Sequence, residues 1–282
     1  ARHGGTRGEA TGTRRSSSQF YLLSAASAEL RDLDHLLQQV HTGEQVEIHN
    51  ATEDRGVIVL AGPRARDVLG SLTDASLESA DFPWRSVQEI DIAGIGTLAL
   101  RINYVGELGW ELHPPMADLP ALYTALWSAG EAYGIADFGL YALNSLRMEK
   151  AYRGWGAELT NEVTMLEADM ARFFGSAKED FVGKTATETG EAGPLRLVYF
   201  EVDAENADVR GGEPIFLNDA CIGVTTSGGY GYAVEKSLGF GYVPPEQSVP
   251  GSVMDIGLLG ARCRATVLAE PIYDPGNERL AS

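Results

Sequence analysis

The chain has 282 residues, 44% of them hydrophobic, so it can bury a sizeable core in one large domain or two to three smaller ones. No apolar run approaches the ~20 residues a membrane span needs, and the opening Ala1-Arg2-His3-Gly4-Gly5 has no signal-like stretch, so a soluble protein is expected. Lys and Arg total 22 against 40 Asp and Glu, a net charge of −18 that argues against nucleic acid or an anionic membrane as partner, though one or two arginines can still hold a small anion.

Cys221 and Cys263 form no CxxC pair, so neither a disulfide framework nor a zinc site is indicated, and a reducing cytoplasm fits. The chain opens unusually, with Arg2, Arg7, Arg14 and Arg15 among Gly4, Gly5, Gly8 and Gly12. On composition alone this reads as a frayed tail.

Phe20 to Ala25 then reads as a buried strand, and Leu30 to Val40 as an amphipathic helix with Leu33, Leu36, Leu37 and Val40 on one face. Val46 to Thr52 alternates like a strand, and Gly56 to Ala61 is a buried strand. Gly62-Pro63 starts a helix with Ala65, Val68, Leu69 and Leu72 inward. Val87 to Tyr104 predicts a hairpin turning near Gly94-Ile95-Gly96, followed by a short strand at Trp110 to His113. Helices are expected over Asp118 to Tyr133 and Leu140 to Ala151. This mixture of strand–helix units and hairpins argues for an α+β fold.

Thr185 to Pro194 (TATETGEAGP) reads as a polar linker. Beyond it, short strands are expected at Leu195–Val202, Pro214–Leu217, Ala220–Thr226, Leu238–Val243, Val253–Leu258 and Ala261–Leu268, with turn signals between. That pattern predicts a small β-barrel or sandwich and places a domain boundary near residue 190, dividing the chain into 1–190 and 191–282. Ser227-Gly228-Gly229-Tyr230-Gly231-Tyr232 lies among these strands and reads as a barrel turn; no dinucleotide fingerprint is present. His35, His41, His49 and His113 have no metal-ligand spacing and read as structural or exposed, and Cys221 as a buried strand residue.

Two stretches carry candidate chemistry. In Arg101 to Leu112 (RINYVGELGWEL) a strand enters a glycine-containing turn and leaves as another strand. Turn glycines let a ligand approach the backbone, a carboxylate can accept two parallel N–H bonds from an aminopyrimidine edge, and Tyr104 can stack on a flat ring. The alternative is a tight hairpin with solvated glutamates. In Leu143 to Gly156 (LNSLRMEKAYRGWG) Arg147 sits on a helix among apolar neighbours, which suits either an anionic ligand or an intramolecular ion pair with Glu149 or another carboxylate.

Together, Tyr104-Val105-Gly106-Glu107-Leu108-Gly109-Trp110-Glu111 and Ser145-Leu146-Arg147-Met148-Glu149 resemble the paired motifs of the aminomethyltransferase (glycine cleavage T-protein) superfamily. The run RMEKAYRGWGAELTNEVTMLEADM, then FVGK, TSGGYG and EPIYDP, resembles the branch attached to dimethylglycine and sarcosine dehydrogenases and oxidases. The resemblance covers essentially the whole chain. It implies a folate-binding region followed by a C-terminal β-barrel. Glu111 matches the family's pterin-binding glutamate, Tyr104 the tyrosine lining the pterin pocket, and Arg147 the arginine holding the carboxylate-bearing half of folate. Glu107 matches a residue of structural use in the turn. Gly4-Gly5-Thr6-Arg7-Gly8-Glu9 fits the family's G-G-x-x-x-D, with Glu9 where the family has the aspartate beside the reacting part of folate. One methylene moves a carboxylate by ~1.5 Å, and misplacement on that scale can cost ~100-fold in rate.

The implied activity is tetrahydrofolate-dependent capture of an iminium or formaldehyde unit from oxidative N-demethylation, yielding 5,10-methylenetetrahydrofolate. FAD would act only through an upstream domain or a separate subunit. The alternatives are an ordinary T-protein aminomethyltransferase and a non-catalytic folate-binding module, which Glu9 in place of aspartate favours slightly. Family members carry further residues of the first domain before this point, so the chain is expected to be a C-terminal portion, with an uncovered apolar patch near residues 1–30.

Overall fold

The computed structural model describes residues 5–175, 177–189 and 193–282. Their packing groups them into two compact units. One comprises Ala10–Gly139 with Gly276–Ser282, and the other Leu140–Pro275 with the opening residues through Glu9. The architecture is mixed α+β, ending in a closed antiparallel barrel.

In the first unit, β1 (Ala10–Arg14) and β2 (Phe20–Ser24) form an antiparallel hairpin. The Arg- and Gly-rich opening is therefore partly an ordered strand rather than a frayed end. Here Gly12 faces Leu22, which lies 3.5 Å from where a Cβ would stand. Helix α1 (Glu29–Gln39) follows. Phe20, Leu22, Leu30 and Leu37 are all exposed on this segment.

The expected strand at Val46 to Thr52 does not form. Asn50 Oδ1 instead accepts hydrogen bonds from Thr52 N (3.1 Å) and Thr52 Oγ1 (2.8 Å). An alternating pattern without a neighbouring strand leaves its backbone unpaired, and the side-chain turn at Asn50 wins.

Four strands make the central sheet: β3 (Ile58–Ala61), β4 (Val87–Ile92), β5 (Ile95–Leu100) and β6 (Gly109–His113), in the order β3-β6-β5-β4, all antiparallel. Helices α2 (Ala65–Gly70) and α3 (Leu119–Gly130) supply the other side of the core. Val68 and Leu69 of α2, and Leu122 and Leu126 of α3, pack with Leu60, Ile90, Ala99, Trp110 and Leu112. Each fully buried aliphatic side chain contributes about 1.5–3 kcal/mol relative to exposure, so this cluster anchors the sheet.

In the second unit, α4 (Leu140–Glu149) precedes a long irregular stretch and α5 (Lys184–Thr189). The first half of the expected linker, Thr185 to Thr189, is thus helical. Thr187 and Thr189 hydroxyls donate to the carbonyls of Gly183 (3.0 Å) and Thr185 (2.7 Å), bonding back along the helix. Gly190, Glu191 and Ala192 of that linker lie outside the described residues.

The barrel comprises β7 (Arg196–Val202), β8 (Pro214–Leu217), β9 (Ala220–Gly231), β10 (Lys236–Val243), β11 (Val253–Leu258) and β12 (Ala261–Val267), closed in the order β10-β7-β12-β11-β8-β9. Its core holds Val198, Phe200, Ile215, Val243, Met254 and Ile256. The segment Ser227 to Gly231 is not a turn but the second half of β9, paired with β10 from Lys236 to Phe240. Its glycines serve close packing. A Cβ on Gly228 would lie 2.4 Å from Val209 Cβ, one on Gly229 3.0 Å from Asn144 Nδ2, and one on Gly231 2.8 Å from Glu149 Cγ. Bare backbone here lets α4 lie directly on the strand. Cys221 is on β9 as expected but exposed. A short helix, α6 (Glu278–Ala281), belongs to the first unit. Among the described residues no helix is long and apolar enough to cross a membrane.

Candidate functional site

The first two candidate residues, Tyr104 and Glu111, lie in the sheet unit. β5 ends at Leu100, so Tyr104 sits in the loop joining β5 to β6 rather than at a strand end. Asn103 organises that loop. Its Oδ1 accepts from Val105 N and Gly106 N, both at 3.0 Å, while its Nδ2 donates to Glu107 O at 2.7 Å. Gly106 has φ 82°, a left-handed conformation that glycine adopts without steric cost. Tyr104 is half-buried. Glu107 lies 3.6 Å from Arg279 Nη1, in keeping with a structural use in the turn.

Glu111 is at the centre of β6, between Val59 of β3 and Leu100 of β5. Successive side chains on a strand point to opposite faces. Trp110 and Leu112 therefore enter the hydrophobic core, each fully buried, while Glu111 and His113 share the opposite face. Glu111 keeps 22% of its side chain exposed, whereas His113 has none. His113 Nε2 lies 3.7 Å from Glu111 Oε2, beyond hydrogen-bond length, and has no hydrogen-bond partner among the described residues. Tyr21 of β2 covers the imidazole. Its hydroxyl is 3.3 Å from His113 Nδ1 and the two rings meet edge-on with centroids 5.6 Å apart.

Burial pushes the Tyr21 phenol above its ordinary pKa; Arg55 and Arg15 oppose this and Glu111 adds to it. Tyr21, Arg15 and Arg55 also line a cleft of about 540 Å³ with Phe20, His49 and Asp54.

Glu9 and Arg147 belong to the barrel unit. Glu9 lies in the coil just before β1, after Gly5 bridges to Thr164 and Thr6 N donates to Val163 O at 2.9 Å. It is exposed as a residue, yet the surrounding chain shields its carboxyl enough to push it above the ordinary carboxylate value.

Arg147, on the last turn of α4, is buried and already engaged. Nη1 donates to Glu158 Oε2 and to Tyr152 O, and Nε to Asn144 Oδ1, each at 3.0 Å. Glu158 is fully buried and also accepts from Gly154 N (2.8 Å), Thr226 Oγ1 (2.7 Å) and Ser227 Oγ. The intramolecular ion pair expected as one alternative for Arg147 exists, but with Glu158 rather than Glu149. Glu149 accepts from Ala233 N at 2.7 Å instead. Glu158 lies within the run RMEKAYRGWGAELTNEVTMLEADM, but no local spacing singled it out as the partner of Arg147. His113, read from the sequence as structural or exposed, is fully buried beside Glu111; its position two residues along the same strand is the signal that could have placed it there.

The comparisons agree with this architecture. Residues 1–178 match the GCVT N-terminal domain and residues 196–274 the glycine cleavage T-protein C-terminal barrel domain. The chain belongs to the GcvT family. It is 39% identical over 278 residues to human mitochondrial dimethylglycine dehydrogenase, covering 96% of this chain but 32% of that enzyme. It thus spans about a third of that relative's length. It is 31% identical over 273 residues to an aminomethyltransferase of Listeria monocytogenes, covering 96% of this chain and 73% of the relative. The crystal structure of the glycine cleavage system aminomethyltransferase T from Bartonella henselae superposes with a TM-score of 0.85 at 24% identity, over 97% of this chain and 74% of that one. At that identity the likeness concerns the fold.

Proposed function

We propose that this GcvT-family chain binds tetrahydrofolate and serves as the one-carbon-accepting region of an oxidative N-demethylating enzyme of the dimethylglycine or sarcosine type. The observation that carries the reading is Glu111: a partly open carboxylate on the polar face of β6, with its neighbours Trp110 and Leu112 locked in the core. A carboxylate fixed on rigid sheet and open on one side fits a flat aminopyrimidine edge, which offers it two parallel N–H donors. Family membership implies this ligand, and the similarity to dimethylglycine dehydrogenase supports the choice of parent reaction.

Tetrahydrofolate, when bound, supplies the nucleophilic nitrogen that takes up the one-carbon unit. In this reading the carbon comes from an iminium formed by flavin oxidation of an N-methyl amine on an FAD-binding domain or subunit. The demethylated amine departs and 5,10-methylenetetrahydrofolate is the product. Glu111 orients the pterin and Tyr104 lines its pocket; for Arg147 the family motif alone supports a hold on the carboxylate-bearing half. Glu9 manages a proton near the reacting nitrogens, and its raised pKa is in the direction an acid–base group needs. The 31% identity to an aminomethyltransferase over most of that relative's length favours a second reading, transfer of an aminomethyl group.

Titration calorimetry with tetrahydrofolate tests the first claim. Glu111→Gln keeps the shape but removes the charge and exchanges an acceptor for a donor. A charged hydrogen bond is worth about 1.5–3 kcal/mol, so binding should weaken at least ~10-fold. Unchanged affinity in the folded variant would reduce Glu111 to a hairpin residue and remove the central support for folate.

A further inference from the structure

His113 is a fully buried polar side chain with one ring nitrogen satisfied and the other not. A buried donor or acceptor left without a partner forfeits its hydration with nothing in return, so an orphaned imidazole nitrogen is unfavourable unless a partner completes it. The orphan atom, Nε2, faces the Glu111 carboxylate at 3.7 Å. We propose that His113 is a positioning residue for Glu111, its Nε2–H aimed at the carboxylate and its Nδ1 held by the Tyr21 hydroxyl, so that Glu111 presents its free edge to a bound ligand. The proposal rests on the reading of Glu111 as the ligand-binding carboxylate.

The tautomer follows from the surroundings. A neutral imidazole carries one N–H, and the partner of the other nitrogen decides which. With Nδ1–H, the Nε2 lone pair would point at a carboxylate, acceptor against acceptor. With Nε2–H, the proton lies toward Glu111, and Nδ1 accepts from Tyr21. The phenol can donate because burial keeps it protonated. Three further contacts hold the imidazole's frame. Arg55 Nη1 donates to the His113 carbonyl at 2.8 Å and fixes β6 from outside. Tyr21 packs edge-on against the ring. Arg15, just beyond β1, pairs with Glu89 of β4 and ties the hairpin across the sheet. A closure of less than 1 Å turns the 3.7 Å approach into a hydrogen bond. A ligand with two parallel N–H donors takes one lone pair on each Glu111 oxygen and leaves the rear lone pair of the histidine-facing oxygen to be satisfied by Nε2–H.

The test separates the two nitrogens. Glutamine in place of histidine sets an amide N–H near the position of Nε2, whereas asparagine sets one near Nδ1. Tetrahydrofolate is titrated by calorimetry into the full chain as wild type, His113→Gln, His113→Asn, His113→Phe and Glu111→Gln. Circular dichroism and thermal melts establish folding. The expected result is affinity within about threefold of wild type for His113→Gln and ~10-fold weaker for His113→Asn and His113→Phe. In the double variant Glu111→Gln/His113→Phe, binding should be no weaker than in Glu111→Gln alone, because the two act through one contact.

Nitrogen NMR of the unliganded wild type should show the proton on Nε2. A proton on Nδ1 would overturn the proposal without any ligand, and so would His113→Phe binding as wild type does. If Glu111→Gln weakens binding while His113→Phe does not, only the positioning role fails. If Glu111→Gln binds as wild type does, or wild type does not bind, the folate reading fails and takes this one with it.

Discussion

Arg147 and Glu158 form a buried ion pair, Nη1 to Oε2 at 3.0 Å, with every atom of Glu158 removed from solvent. The pair joins α4 to β9, because Thr226 and Ser227 donate to the other oxygen of the same carboxylate. Removing one partner of such a pair strands a charge in a low-dielectric interior and costs about 3–5 kcal/mol. Arg147→Met should therefore lower unfolding free energy by that order in urea denaturation. Arg147→Lys should also destabilise, since one ammonium cannot serve Glu158, Asn144 and Tyr152 in three directions. Native-like stability in Arg147→Met would show that Glu158 relaxes to water.

Gly228 tests the packing of the barrel. A Cβ there would meet Val209 Cβ at 2.4 Å and its carbonyl oxygen at 2.7 Å, and the backbone must move to admit it. Gly228→Ala is expected to cost about 1–3 kcal/mol. Gly96 in β5 is the control: nothing lies within 4 Å of the point a Cβ would occupy, so Gly96→Ala should be neutral or stabilising by about 0.4–1 kcal/mol. Paired thermal melts of the two variants read both numbers.

Glu213 sets an acid limit on the second unit. Burial alone would raise its pKa, but hydrogen bonds from the Thr225 hydroxyl and from the Gly211 and Arg210 amides outweigh it and hold the carboxyl below its ordinary value. A depressed carboxylate contributes stability that is complete above the unfolded-state pKa and is lost as pH falls through the folded one. Glu213→Gln should thus narrow its stability gap to wild type as pH drops from about 6 into that range, the ordinary Glu value being ~4.3. A gap constant with pH would remove charge from the explanation.

Glu9 should divide chemistry from binding. If it acts on a proton during one-carbon transfer, Glu9→Gln leaves tetrahydrofolate affinity within about threefold while tetrahydrofolate-dependent turnover in the proposed reaction falls ~100-fold or more. Calorimetry and product formation on the same preparation give the two readings. A matching loss in both would make Glu9 a binding residue.

Much of this architecture was written in local pattern. Apolar residues at helical spacing marked α1, α2, α3 and α4, and short alternating runs marked the barrel strands, because periodicity records which face of an element avoids water. The same rule put Glu111 and His113 on one face of β6. Periodicity does not say what covers a face. That Tyr21 lies over His113 depends on β1 and β2 pairing, and β1 had no apolar signature to announce it. That Arg147 meets Glu158 depends on an irregular stretch turning back beneath β9, where Thr226 and Ser227 complete the carboxylate's hydrogen bonds. The glycines of β9 read locally as a turn, but pairing with β10 makes them strand and α4 rests on them. The alternation of residues determined which side chains were available to the site. Long-range contacts, which no local spacing encodes, decided which of them are buried, paired or open to a ligand.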